Sequence, residues 1–239
     1  MGNNNINFCF NIFERSRMKG CYPFSPDQVL KILSYFDRKS YYAARNRALF
    51  LLGVTTGLRI SESLSLKVKD VFQQGKIVDR VYVARAAMKG GKKKDKKGKK
   101  KKTISASGRS VLLNKVAKIA LTELLQDFYL YSNGKPRLGT SDNMSLFHSR
   151  KGNGIQPIDR SHAWRIIKNA AFDCGIHGKI GTHSMRKTFA STMCDFLDGN
   201  IGEVQKALGH KKIDSTMQYL DFKQQNIDEA IIKLEDLYQ

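Results

Sequence analysis

Three short segments carry side chains that could act together: TGLRISE at residues 56–62, GTHSMRKTFAS at 181–191 and ALGHKKIDSTMQYL at 207–220. Arg59 in the first closely follows Gly57, a residue type that ends helices. His183 and Arg186 in the second stand three apart at the start of a helical stretch, so both project from one face. In the third, His210 precedes Tyr219 by nine positions. Two arginines, two histidines, a tyrosine and a choice of lysines suit a phosphodiester. Displacement at phosphorus loads negative charge onto the non-bridging oxygens, and planar guanidiniums meet those oxygens with paired hydrogen bonds. Arg59 and Arg186 would be that clamp. A tyrosine hydroxyl ionises near pH ~10, far more readily than an aliphatic alcohol, which makes Tyr219 a reasonable nucleophile that would hold DNA covalently. A lysine reaching from a hairpin could protonate the departing 5′ oxygen. His183 could take or hold the tyrosine proton, and His210 could donate to the phosphate. The scheme requires neither metal nor cofactor.

The elements that must hold these groups are read from periodicity and caps. Residues 1–22 are Asn-rich, then mixed and basic, and are expected to be a flexible leader. Order is expected from Ser25-Pro26-Asp27-Gln28, a capping box with proline at the first helical position. Val29, Ile32, Leu33 and Phe36 then share one helix face. A second helix spans about 41–55 and stops at Gly57, and a short third contains Ile60, Leu64 and Leu66. Val68, Val71, Ile77, Val78, Val81, Tyr82, Val83 and Ile104 suggest a small antiparallel sheet, its last hairpin tipped by lysines. Helices follow at about 110–131, 160–174, 183–197, 201–208, 213–220 and 225–237, with loops by turn residues at 133–136 and 151–154. The expectation is a mostly α chain with a small antiparallel β-sheet (α+β), one domain over 23–239.

Composition agrees with a polyanionic partner. The 239 residues hold 42 Lys and Arg against 21 Asp and Glu, a formal charge of +21. Ten lysines and one aspartate lie between Lys89 and Lys102, so the remainder still carries +12. Phosphate neutralisation makes nucleic acid the first expectation, and no helix pairs a basic face with an apolar one as a membrane surface would require. The most apolar run, Ala48 to Val54, is too short to span a bilayer, and the polar start lacks a signal-peptide core. Cys9, Cys21, Cys174 and Cys194 show no zinc spacing and read as reduced thiols. The chain is expected to work in the cytoplasm, on the nucleoid.

Taken together and in order, the three segments resemble the boxes of the tyrosine recombinases, the family of phage integrases and bacterial chromosome-dimer resolvases. TGLRISE resembles the first-arginine box, HSMR the H-x-x-R box, and LGH with its tyrosine nine positions after the histidine the last box. The resemblance covers about residues 24–225 and implies that family's catalytic-domain fold. It implies breakage and rejoining of duplex DNA through a 3′-phosphotyrosyl intermediate with a free 5′ hydroxyl, without metal or nucleotide. It further implies a catalytic lysine on the hairpin between the first two boxes, just before a glycine, where Lys89-Gly90-Gly91 fits best among close neighbours Lys92, Lys93, Lys94 and Lys102. Glu62 fits the acidic position after the first arginine, a structural role. The family usually carries a separate helical DNA-binding domain before the catalytic one. Only about two dozen residues precede the first helix, so either this is a minimal or truncated recombinase or another chain supplies that half. The final helix could pack on its own domain or dock on a neighbour, which makes a homotetramer assembled on DNA the natural expectation.

Duller readings stand beside these. Arg59 with Glu62 would be an ordinary ion pair. His162-Ala163-Trp164-Arg165 is a second H-x-x-R, read as surface or DNA-facing because only the later copy is preceded by GT and followed by TFAS. The same residues would support topoisomerase-like nicking and closing, and the charge alone would support a noncatalytic basic DNA-binding protein.

Overall fold

The structure, a computed structural model, describes residues 20–37, 40–83, 108–130, 137, 141–150, 156–220 and 232. Helix α1 (Pro26–Phe36) begins as its sequence demands: Ser25 accepts from the Gln28 backbone, and the Gln28 side chain accepts from the Ser25 N–H. It buries Ile32 and Phe36. Helix α2 (Ala43–Thr56) is apolar on consecutive positions, with Ala48 through Leu52 all buried. A helix apolar all round belongs in the centre. There it packs against α5 (Lys115–Phe128) and α7 (Thr182–Phe196).

The α2–α7 packing is set by two glycines one turn apart. A Cβ on Gly53 would sit 2.7 Å from Met185 Sδ, and one on Gly57 2.3 Å from a Phe189 ring carbon. The missing side chains form a notch that receives Met185 and Phe189, themselves one turn apart. Gly57 also ends α2 with φ at 60°, a conformation that favours glycine. This close approach brings the first turns of α7 against the exit of α2, where the candidate residues lie.

Two of the expected elements are different in kind. Val68 and Val71 belong to a single helical turn, α4 (Val68–Val71), not to a strand. Both valines are buried, and Asp70 accepts from the Lys67 N–H at 2.8 Å. Their spacing of three, rather than two, puts both on the core in a helix, so packing overrides β propensity. Likewise residues 110–112 are not helical. Strand β4 (Arg109–Leu112) pairs antiparallel with β3 (Arg80–Val83), and α5 starts only after Asn114, whose side chain accepts from Ala117 at 2.9 Å. The Asn cap marks the true helix start.

The sheet content is two separate two-stranded pairs among the described residues, rather than one sheet. Strands β1 (Phe72–Gln73) and β2 (Lys76–Ile77) close through Gln74 and Gly75 at φ 51° and 77°, the mirror-image turn that suits strand twist. In the second pair Val83 faces Arg109, so residues 84–108 lie between the paired strands in the sequence. Lys89, the rest of the lysine run and Ile104 lie outside the described residues, as do most of the leader and all but one residue of the expected last helix.

The remaining helices have readable ends. Asp159 caps α6 (Arg160–Asp173) by accepting from His162, Asn200 caps α8 (Ile201–Leu208), and Gly209 closes α8 at φ 64°. The stretch expected as helix 213–220 is one turn, α9 (Asp214–Met217). Short α3 (Ile60–Leu64) follows α2 directly. A small second core of Ala190, Val204 and Leu208 holds α7 to α8, with Tyr219 and Leu220 packed against it. No helix among the described residues is long and apolar enough to cross a membrane.

Candidate active site

Arg59 is placed by the turn out of α2. Its backbone is extended at the N-terminus of α3, and Glu62, three residues on, reaches back to it. Glu62 is fully buried; it accepts from the Arg59 N–H at 2.9 Å and from Arg59 Nη1 at 2.9 Å. Its Oε2 also takes Arg109 Nη2 at 3.1 Å. Burial alone would raise the carboxyl pKa. The Arg59 backbone N–H, the Arg109 guanidinium and the Arg59 side chain outweigh it and hold the group below the ordinary value. The expected Arg59–Glu62 pair is therefore present, as part of a larger network that fixes the guanidinium at the mouth of a cleft.

Arg109 is one residue that sequence reading missed. It opens β4, ion-pairs with Glu62, and donates from Nη1 to the Ala207 carbonyl at 2.9 Å. One side chain thus ties the strand pair that brackets the lysine run to α3 and to the end of α8. Only a basic residue between a turn-prone segment and an apolar stretch, SGRSVLL, was available as a signal.

Arg186 is 1% exposed, on the second turn of α7. Nη1 donates to the Gly57 carbonyl, and Nη2 donates to the Leu208 carbonyl and to His210 Nε2, each at 2.7 Å. Burial first, then Arg59 and Arg109, lower its pKa to about 10, so it remains cationic at neutral pH. Its Nε is buried and without an acceptor among the described residues.

His210 is buried between Arg186 and Thr216, with Nδ1 3.0 Å from Thr216 Oγ1. Arginine can only donate, so Nε2 must accept and the ring proton must sit on Nδ1. Burial, reinforced by Arg186, Arg59 and Arg109, lowers the imidazole pKa to about 3. In this arrangement the ring is neutral, and its Nε2 lone pair holds Arg186.

Tyr219 follows α9, half-buried against the second core. Its ring centroid is 5.2 Å from that of His210 and 5.6 Å from Arg186 Cζ. Its hydroxyl lies 3.4 Å from His183 Nδ1, and His183 itself is exposed on the first turn of α7. Arg59, His183, Arg186, His210 and Tyr219 line one cleft of about 420 Å³, joined by Arg160 and Thr182. Five of the six expected residues therefore converge, and the sixth, Lys89, lies outside the described residues.

The competing H-x-x-R falls elsewhere. Arg165 lines a neighbouring cleft with Arg160, Ser161 and Trp164, and His162 lines neither cleft. Lys168 Nζ sits 4.6 Å over the Trp164 ring, so this face is basic and aromatic. Arg160 and Thr216 were missed as well: Arg160 carries no motif, and Thr216 lies inside one without being its marked residue.

In the crystal structure of the XerH site-specific recombinase bound to palindromic difH substrate, a post-cleavage complex, the same fold recurs with a TM-score of 0.62 and 24% identity. That match covers 89% of this chain and 52% of that one. The architecture is that of a tyrosine recombinase catalytic domain. The sequence profile of the phage integrase family matches residues 23–226, and the chain belongs to that family. Among its relatives, the "Probable integrase/recombinase YoeC" of Bacillus subtilis (strain 168) is 32% identical over 196 residues, 82% of this chain and 86% of that protein. Tyrosine recombinase XerD of Listeria innocua is 26% identical over 213 residues, 89% of this chain and 60% of XerD.

Proposed function

We propose that this chain is a site-specific recombinase that cuts and rejoins duplex DNA through a 3′-phosphotyrosyl intermediate. One observation carries the reading: a tyrosine hydroxyl opens into a cleft where the three motif segments, far apart in the chain, bring together Arg59, His183, Arg186 and His210. Three guanidiniums (Arg59, Arg109 and Arg186) gather around one buried carboxylate, which leaves the site net positive and suited to a phosphate.

The geometry supports the following chemistry. Arg59 and Arg186 bind the non-bridging oxygens of the scissile phosphate. Tyr219 Oη attacks phosphorus, and His183 accepts the phenol proton across the 3.4 Å gap, a separation that can tighten on binding. The P–O5′ bond breaks, phosphorus is left joined to Tyr219 Oη and to the 3′ oxygen of the DNA strand, and Lys89, which lies between β3 and β4 in the sequence, protonates the 5′ oxygen. Attack by a 5′ hydroxyl from another strand reverses each step and frees the tyrosine. Exchange between two duplexes needs four cuts, hence four tyrosines, and we propose a homotetramer assembled on DNA.

The test is a nicked suicide duplex, from which the 5′ fragment escapes after cleavage. A covalent protein–DNA adduct is expected, lost in Tyr219→Phe while DNA binding persists. An adduct of undiminished yield in Tyr219→Phe would overturn the assignment of the nucleophile. No adduct in the wild type on any duplex that it binds would overturn the recombinase reading.

A further inference from the structure

Thr216 is fully buried, and its hydroxyl faces a ring nitrogen two steps removed from the phosphate clamp. We infer that Thr216 is a positioning residue: by accepting from His210 it fixes the imidazole form whose lone pair holds Arg186, and so couples the tyrosine-bearing turn to the clamp.

The coupling is an unbroken chain of hydrogen bonds. The Tyr219 N–H donates to the Thr216 carbonyl at 2.8 Å. The Thr216 hydroxyl takes the Nδ1 proton of His210 at 3.0 Å, and His210 Nε2 takes Arg186 Nη2 at 2.7 Å. Each link constrains the next. An arginine cannot accept, so a proton moved to Nε2 would set two donors face to face and break the bond to Arg186. The threonine hydroxyl is the acceptor that keeps the proton on the far side of the ring. The ring has little freedom to escape, because the His210 backbone is tied at both ends: its N–H reaches the Gln205 carbonyl at 3.0 Å, and its carbonyl takes Gln205 Nε2 at 3.1 Å. Thr216 N also donates to the Ile213 carbonyl at 2.7 Å, which anchors the turn that presents Tyr219. A displacement of Tyr219 from the cleft therefore pulls on the residue that sets how Arg186 is held, and ordering of the clamp by phosphate draws the tyrosine in.

The effect on catalysis rests on the recombinase reading above, whereas the effect on His210 does not. Thr216→Val and Thr216→Ser in the full chain separate the two. Imidazole ¹⁵N NMR of the DNA-free protein should show His210 neutral with its proton on Nδ1 in wild type and Thr216→Ser, and a shift toward the Nε2 proton in Thr216→Val. Adduct formation on the suicide duplex should slow roughly tenfold in Thr216→Val, the scale of one buried hydrogen bond. DNA affinity should be unchanged, and Thr216→Ser should restore the rate. A wild-type His210 with its proton on Nε2, or doubly protonated at neutral pH, overturns the inference without any variant. A slowed Thr216→Val with an unaltered His210 spectrum overturns it too, since that is loss of packing, as does an altered spectrum with an undiminished rate. If the wild type formed no adduct, the recombinase reading would fail, and the spectra would still decide the link between Thr216 and His210.

Discussion

Glu62 is where the site is most open to perturbation, because one buried carboxylate restrains two arginines. Glu62→Ala removes the acceptor of three hydrogen bonds and leaves Arg59 and Arg109 to repel one another across an empty site. Removing one partner of a buried ion pair typically costs ~3–5 kcal/mol. The Arg59 and Arg109 side chains are 21% and 12% exposed, so water can relieve part of the loss, and the low end, about 3 kcal/mol, applies here. For a domain of this size each kcal/mol moves the melting temperature by ~2–4 °C, which gives a fall of roughly 6–12 °C. Glu62→Gln should cost less but more than nothing, since the amide must turn one NH₂ donor toward a guanidinium or the Arg59 N–H.

Urea unfolding with an unchanged m-value provides the measurement, and a double-mutant cycle with Arg109→Met provides the discrimination. If the network acts as a unit, Arg109→Met should cost markedly less in the Glu62→Ala background than alone, with a coupling of at least ~1 kcal/mol. Adduct formation should fall in Glu62→Ala even well below its melting temperature, because Arg59 loses its orientation. A Glu62→Ala protein within ~0.5 kcal/mol of wild type, as for an ordinary surface substitution, or strict additivity with Arg109→Met, would refute the claim that this carboxylate organises the clamp.

Acid should destabilise the fold before any carboxylate titrates. Burial, then Arg45, holds His148 to about 4, and burial with three arginines holds His210 to about 3, so below pH ~6.5 the unfolded chain takes up protons that the folded chain refuses. Stability should fall as pH drops from ~6.5 toward 4, by up to about 1.4 kcal/mol per pH unit for each imidazole; equal urea midpoints at pH 7 and 5 would count against it. Gly53→Ala should destabilise by ~1–3 kcal/mol through overpacking on Met185, although alanine is the better helix former, and Met185→Ala should relieve the clash. A stabilised Gly53→Ala would deny the notch. Replacing the nine lysines between 92 and 102 by serine should flatten the log–log salt dependence of DNA affinity, by ~0.9 for each phosphate that the run neutralises; an unchanged slope would mean that the run grips no phosphate.

What could be read in advance was whatever local chemistry decides. The Ser25 capping box, the left-handed stop at Gly57 and the apolar centre of α2 are properties of a few neighbouring residues, and each lies where its side chains require. The five cleft residues were legible for a different reason, because they stand inside short strings that resemble the motifs of a known family. The errors came where tertiary pairing outweighed local preference. Ser110 to Leu112 run straight into a helical pattern, and only the presence of β3 alongside makes them a strand.

The network behind the cleft is illegible for a deeper reason. Arg186 is held by the carbonyls of Gly57 and Leu208, and Arg109 by that of Ala207, and a main-chain acceptor leaves no mark on residue identity. Any sequence that puts a helix end at those positions offers the same oxygens. A side chain that acts through such partners is therefore invisible until the backbone is in place, however decisive its geometry. His210 shows the consequence. Its motif says that an imidazole is present, while the two neighbours that flank it in space, Arg186 and Thr216, determine which nitrogen carries the proton and hence what it can do. Residue type alone suggested a donor to phosphate; the arrangement of donors around the ring makes it the acceptor that steadies the guanidinium.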